Sequence, residues 1–224
     1  MTSTNEWVVI WDLDGTLTDS ESISNICKEK VLKIVSPNNW KLSPDIKRRF
    51  SGQTAMAAIQ MIIREFHLEE VITDIEYMKL YRQYMNETNY ESPYMPGAER
   101  ITEYFYNNNI KQAIATSSSK IILEGKAKTH PEVFSKMSYL VSSSEPGVVH
   151  CKPFPDIFLV AAKKLNKSPQ ECIVFEDSIN GIKAALAANM KVVAVPSQSF
   201  DMNQFQGITC VYMHISHYGH FVFF

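Results

Sequence analysis

Apolar positions along the chain fall into two kinds of run. Residues 7–11, Trp-Val-Val-Ile-Trp, form a continuous β-branched and aromatic stretch that breaks at once into Asp-Leu-Asp-Gly-Thr. A short run with no polar face reads as a strand buried on both sides, and here the polar residues begin at its carboxyl end. The same pattern recurs at 110–116, 138–141, 172–175 and 192–195. Helical spacing is legible between these runs, at 98–107, 120–128, 155–166 and 178–189, the last of them rich in alanine. Asn189 stands where the chain must leave that helix, and asparagine tolerates the left-handed conformation common just past a helix end. Alternation of this kind predicts an α/β fold, a Rossmann-like parallel sheet covered by helices on both faces, with ligands bound beyond the carboxyl ends of the strands.

One segment departs from the alternation. Between Asp19 and Tyr94 the strand signal disappears, and four helical pieces take over at 21–35, 44–50, 54–66 and 74–89. The pattern predicts an inserted α-helical cap domain at residues 21–93, with the α/β core domain built from 1–20 and 94–224. Pro93, Pro96 and Gly97 punctuate the return to the core and mark a candidate hinge.

Composition narrows the function classes. At 224 residues and 45% hydrophobic, the chain can bury one sizeable core and a smaller second module. Its 22 basic and 24 acidic residues leave a net charge of -2, which gives no long-range pull toward nucleic acid or an anionic membrane. An anionic ligand must therefore be bound by local groups. Cys27, Cys151, Cys172 and Cys210 are widely spaced and form no C-x-x-C pair, so neither a zinc site nor a disulfide framework is expected. Met1–Glu6 lacks the features of a secretory signal, and no apolar run approaches membrane-spanning length. A cytoplasmic monomer is the expectation. The apolar end, His220–Phe224, is either a docked tail or an exposed patch.

Four short motifs lie at the ends of predicted strands. In Asp12-Leu13-Asp14-Gly15-Thr16, a carboxylate at the strand tip can attack phosphorus, and one two residues later can hold a proton for a leaving oxygen. A bare D-x-D is more often a solvated acidic turn; the apolar strand before it and the Gly-Thr after it shift that balance. In Thr116-Ser117-Ser118-Ser119, a hydroxyl and backbone N–H groups at a helix start can hold phosphate oxygens, or serve only as a helix cap. Lys152 lies in Cys-Lys-Pro-Phe-Pro-Asp, stiffened by two prolines; most solitary lysines are surface lysines. Glu176 and Asp177 adjoin one another at a buried strand's end, where they repel unless a cation or proton intervenes, which suits Mg²⁺. Helix capping by Asp177 or Ser178 is the plain alternative.

In this order, acid pair, hydroxyl, lysine, acid pair, the chain resembles the haloacid dehalogenase superfamily, whose motifs are matched by Asp12 and Asp14, Thr116, Lys152, and Glu176 with Asp177. The resemblance covers nearly the whole chain, including the placement of the helical cap. It implies a magnesium-dependent phosphatase in which Asp12 is the nucleophile, forming an aspartyl-phosphate, and Asp14 is general acid and then base. It also implies that Asp12, the Asp14 backbone carbonyl, Glu176 and Asp177 hold Mg²⁺, and that Thr116, Ser117 and Lys152 bind the phosphoryl group. The implied partner is a small phosphorylated metabolite, with substrate choice residing in the cap.

The segments Met95–Glu99 and Glu176–Ala188 look like the branch with a small helical cap, which includes sugar-phosphate and glycerol-phosphate phosphatases and β-phosphoglucomutase. Residues 145–153 look closest to pseudouridine-5'-phosphatase-like proteins, while Asn189 replaces that branch's usual glycine. A phosphomutase shares these core residues, but the histidine early in the first cap helix of mutases has no counterpart in residues 21–35. A noncatalytic phospholigand-binding regulator is the other alternative, and the intact acidic motifs argue against it. His150-Cys151 begins like a cysteine-phosphatase loop, but Ile157 occupies the required arginine position.

Overall fold

A computed structural model describes residues 7–38, 40–50, 53–195 and 211–212. The start Met1–Glu6, Cys210 and the apolar end His220–Phe224 lie outside the described residues. Among the described residues the strands are β1 (Val8–Trp11), β2 (Gln112–Ala115), β3 (Tyr139–Val141), β4 (Cys172–Glu176), β5 (Lys191–Ala194) and β6 (Val211–Tyr212). The helices are α1 (Ser20–Val35), α2 (Pro44–Phe50), α3 (Ala55–Glu65), α4 (Asp74–Thr88), α5 (Ala98–Asn107), α6 (Lys120–Thr129), α7 (Pro131–Phe134), α8 (Asp156–Leu165) and α9 (Ile179–Ala187).

The strands form one parallel sheet in the order β3-β2-β1-β4-β5-β6. The chain starts in the middle and winds outward to each side, so the crossover point falls between β1 and β4, where such sheets bind ligands. Register there is Trp11 opposite Phe175, which sets Asp12 beside Glu176 at the carboxyl edge.

Strand β1 carries no polar position because both its faces are covered. Val8 and Ile10 pack with Val174 of β4 and with Phe158, Ala161 and Ile182 of α8 and α9. Val9 and Trp11 pack on the other face with Ile101, Phe105 and Phe175. The Trp11 ring lies 4.2 Å from Phe175, and its Nε1 donates to Gln112 Oε1 at 2.9 Å. The buried indole N–H thus has the partner that burial demands. At the end of α9, Asn189 takes the left-handed conformation, φ 59°.

Two compact units divide the described chain, one from the residues up to Asp19 and from Pro93 onward, the other Ser20–Ser92. The second unit, the inserted helical cap, has its own apolar core of Cys27, Val31, Leu32, Ile59, Ile62 and Tyr77 among others. Thr54 caps α3 by accepting from the Ala57 amide at 3.2 Å. Tyr77 and Tyr81 are buried, so these tyrosines pack instead of lining an open surface. Tyr77 donates its hydroxyl to the Lys28 carbonyl at 2.7 Å.

Candidate active site

The polar residues gather where β1, β2 and β4 end. Asp12 follows the last residue of β1, its amide donating to the Phe175 carbonyl at 2.9 Å, so the pairing of β1 with β4 reaches to the acid itself. Gly15 turns the chain back with φ +94°, a conformation that glycine enters freely. A Cβ at Gly15 would come 2.1 Å from Asp177 Oδ2, so the missing side chain is space that the Asp177 carboxylate fills. Thr16 Oγ1 also donates to Asp177 Oδ1 at 3.3 Å.

Lys152 reaches the same point from the loop after β3. Its Nζ donates to Asp12 Oδ1 at 2.6 Å, to Glu176 Oε1 at 2.7 Å and to the Ala115 carbonyl at 3.3 Å, with the Phe158 ring 4.8 Å away. Asp12 is 6% exposed and Glu176 1%. Glu176 Oε2 accepts from the Ser178 amide at 2.7 Å and the Ser178 hydroxyl at 2.9 Å. Ser178 caps α9, accepting from the Gly181 amide, which accounts for the capping alternative without removing Glu176 or Asp177 from the cluster.

Asp12, Glu176 and Asp177 each present a carboxylate oxygen, and these lie within 4.8 Å of one another. Their electrostatics are unbalanced. Burial pushes the Asp12 carboxyl up to about 7, Lys152 pulling it back and Glu176 adding to the rise. Burial, then Glu176 and Asp12, hold Asp177 well above the usual carboxylate range. Burial works against the Lys152 charge, but Asp12 and Glu176 outweigh it and keep the ammonium protonated beyond its ordinary range. One ammonium against three carboxylates leaves the cluster short of positive charge. A hard divalent cation with oxygen ligands, such as Mg²⁺, fits that donor set.

Thr116 is buried at the end of β2; its amide donates to the Val141 carbonyl at 3.0 Å, and its Oγ1 accepts from the Ser118 amide at 3.0 Å. Ser117 is exposed. Asp12, Asp14, Thr116, Ser117, Ser118, Lys152, Glu176, Asp177 and Ser178 line one cleft of about 300 Å³. The candidate site residues of all four motifs thus border the same cleft. Cys151 beside Lys152 is exposed and a free thiol.

Two contacts of Asp14 escape sequence reasoning. Lys126 of α6 donates Nζ to Asp14 Oδ1 at 2.5 Å, and Ser118 Oγ donates to Asp14 Oδ2 at 2.7 Å. A lysine in a helix that also carries Lys120, Glu124 and Lys128 reads as solvated. The available signal was its place three residues after Leu123 and four before His130, on the helix's buried side.

Comparison with known proteins agrees with this geometry. A Drosophila melanogaster protein described as a probable pseudouridine-5'-phosphatase is 35% identical over 190 residues, 84% of this chain and 80% of that one. An Arabidopsis thaliana (DL)-glycerol-3-phosphatase is 31% identical over 198 residues, 87% of this chain and 81% of that one. A haloacid dehalogenase family hydrolase from Deinococcus radiodurans, crystallised with phosphate and sodium, shares the fold with a TM-score of 0.73 at 20% identity, over 95% of this chain and 93% of that one. The model of the family "Haloacid dehalogenase-like hydrolase" matches residues 9–195, from the first strand through the fifth, and with the buried acidic cluster at its centre the chain belongs to that family and is a phosphohydrolase.

Proposed function

We propose that the chain hydrolyses small phosphate monoesters, of the class of sugar, polyol and nucleoside phosphates that includes pseudouridine 5'-phosphate, with Asp12 as nucleophile. The observation that carries this reading is Lys152 Nζ set between Asp12 Oδ1 and Glu176 Oε1, at 2.6 and 2.7 Å, on the wall of the cleft. Asp12 attacks phosphorus in line, and the bond to the leaving oxygen breaks as Asp14 gives that oxygen its proton. Asp14 then takes a proton from the water that cleaves the aspartyl-phosphate and restores Asp12. Lys152 and the Thr116 hydroxyl hold the transferring oxygens, with Ser117 at the exposed side. Asp12, Glu176, Asp177 and the Asp14 carbonyl are the groups to hold magnesium, which when bound offsets the repulsion between carboxylate and phosphate.

The same reading makes residues 21–93 the cap domain and leaves substrate choice to it. The names of the two relatives, a nucleoside-phosphate and a glycerol-phosphate phosphatase, support the substrate class. Cys27, Cys151 and Cys172 are free thiols, which supports a reducing, cytoplasmic setting. Among the described residues no helix is long and apolar enough to cross a membrane.

The test is phosphate release from a panel of pseudouridine 5'-phosphate, glycerol 3-phosphate and hexose phosphates, with Mg²⁺ and with EDTA. Metal-dependent release from one ester well above the rest is expected. Release that EDTA leaves unchanged would sink the metal assignment, and no release from any ester would sink the phosphatase reading.

A further inference from the structure

Lys126 is fully buried, at 0% exposure, on a helix that carries none of the four motifs. Desolvating an ammonium costs several kcal/mol in a protein interior unless partners compensate. A leucine or methionine would fill the same space without that cost. The partners among the described residues are Asp14 Oδ1 at 2.5 Å and Thr18 Oγ1 at 2.9 Å. Thr18 in turn closes the Asp14 turn, its Oγ1 donating to the Leu13 carbonyl at 3.3 Å and its carbonyl accepting from the Gly15 amide at 2.8 Å. Asp14 Oδ2 is held from the other side by Ser118 Oγ at 2.7 Å and more weakly by Thr116 Oγ1 at 3.4 Å.

Both oxygens of Asp14 are therefore anchored to α6 and the loop that leads into it, while Asp12 is anchored by Lys152. The two acids of one short motif are separated by being paired with different lysines. Without Lys126, the Asp14 carboxylate loses its short ion pair on Oδ1, and with it the charged contact that opposes the Ser118 and Thr116 hydroxyls on Oδ2. A displacement of about 1 Å at a reacting group can lower a rate about 100-fold.

We propose that Lys126 is a positioning residue for the phosphatase reaction, holding the Asp14 carboxylate in line with the leaving-group and water oxygens through its ion pair. This inference rests on the assignment of Asp14 as general acid and base. In the first half-reaction the Asp12–phosphorus bond forms, the bond to the leaving oxygen breaks, and the Asp14 proton goes to that oxygen. An alkoxide needs this proton to depart; p-nitrophenolate does not. In the second half-reaction both substrates leave the same aspartyl-phosphate, and a water proton passes to Asp14.

The experiment uses the full chain with saturating Mg²⁺, comparing Lys126→Met, Asp14→Asn and the double variant. Substrates are glycerol 3-phosphate or pseudouridine 5'-phosphate, whichever turns over faster, and p-nitrophenyl phosphate followed by rapid mixing. Lys126→Met is expected to lower kcat on the alkyl ester about 10- to 100-fold with KM within about 3-fold, while the p-nitrophenolate burst rate changes less than about 3-fold. The double variant is expected to be no slower than Asp14→Asn, since a residue acting through another adds nothing once that other is gone. Equal slowing of both first steps, or a full additional loss in the double variant, overturns the inference and leaves Asp14 in place. Full alkyl-ester turnover by Asp14→Asn overturns the assignment of Asp14 and the inference with it. Should Lys126→Met not fold, judged by its melting curve, Lys126→Gln keeps a donor without the charge. The same pattern with a smaller drop supports the inference, and wild-type turnover by Lys126→Gln overturns it.

Discussion

Gly181→Ala is a substitution that helix chemistry favours and this site forbids. Gly181 is the third residue of α9, and alanine there gains about 0.8–1 kcal/mol of helix propensity. A Cβ at that position would stand 1.6 Å from Glu176 Oε1 and 1.8 Å from its Cδ, inside the carboxylate. The carboxylate must move by about 1.5–2 Å to reach ordinary contact near 3.4 Å. That movement breaks its bonds to Lys152 Nζ, the Ser178 amide and the Ser178 hydroxyl. Hydrogen bonds to charged groups contribute about 1.5–3 kcal/mol each, and water and the remaining Asp12 partner recover part of the loss. Against the helix gain, a net destabilisation of about 2–4 kcal/mol is expected, or roughly 5–15 °C in the melting transition of the core. Phosphatase activity should fall about 100-fold or more, because Lys152 and the proposed metal position both lean on Glu176. Thermal melting by circular dichroism, calorimetric Mg²⁺ titration and turnover together read these effects. A melting point at or above wild type with activity within about 2-fold would refute the reasoning, since Glu176 would then not occupy the space over Gly181.

Asp12→Asn should lower turnover about 10⁴-fold or more while leaving melting unchanged or raised, because it removes one of three crowded carboxylates; residual activity of a few per cent in a clean preparation would count against a covalent role for Asp12. In the helical unit, burial lowers the Lys28 ammonium to about 8 against the pull of Glu21 and Cys27. The unfolded chain then binds the proton more tightly than the folded one, so the penalty is fully present below about pH 8 and stability rises from there toward Lys28's ordinary value near 10.5. Lys28→Met should therefore stabilise the protein at pH 7 by about 2–3 kcal/mol and flatten that rise, as denaturant unfolding at pH 7 and pH 10 would show; an equal rise in the variant would exclude Lys28 as its source. Asn189→Gly, at φ 59°, should add less than about 1 kcal/mol and leave kcat unchanged, whereas a loss of stability would mean that the asparagine side chain holds the turn.

The parts of the molecule that a reader of the sequence finds are those whose physics is local. The apolar run of β1 is continuous because both sheet faces are covered. The helices expected at 44–50 and 98–107 coincide with α2 and α5. Four-residue α7 and two-residue β6 are too short to show any period, and both went unseen. Asp12, Asp14, Glu176 and Asp177 are legible because acidic residues at the end of an apolar strand conflict with their surroundings, and a conflict of that kind advertises a charge to be supplied.

Lys126 is the opposite case. Its pairing with Asp14 spans 112 residues, and nothing within a turn of α6 names the partner. What local sequence does hold is position: Leu123, Lys126 and His130 fall on one buried side of the chain through α6 and past its end. A cation on the apolar side of an amphipathic helix requires a buried anion somewhere in the fold, and in an acidic-motif phosphatase the site supplies the anions. The two lysines of this site thus differ in how they were found, Lys152 by the motif around it and Lys126 only by burial. They have the same electrostatic reason to exist, since each is an ammonium that the fold has removed from water and paired with a carboxylate of the first motif.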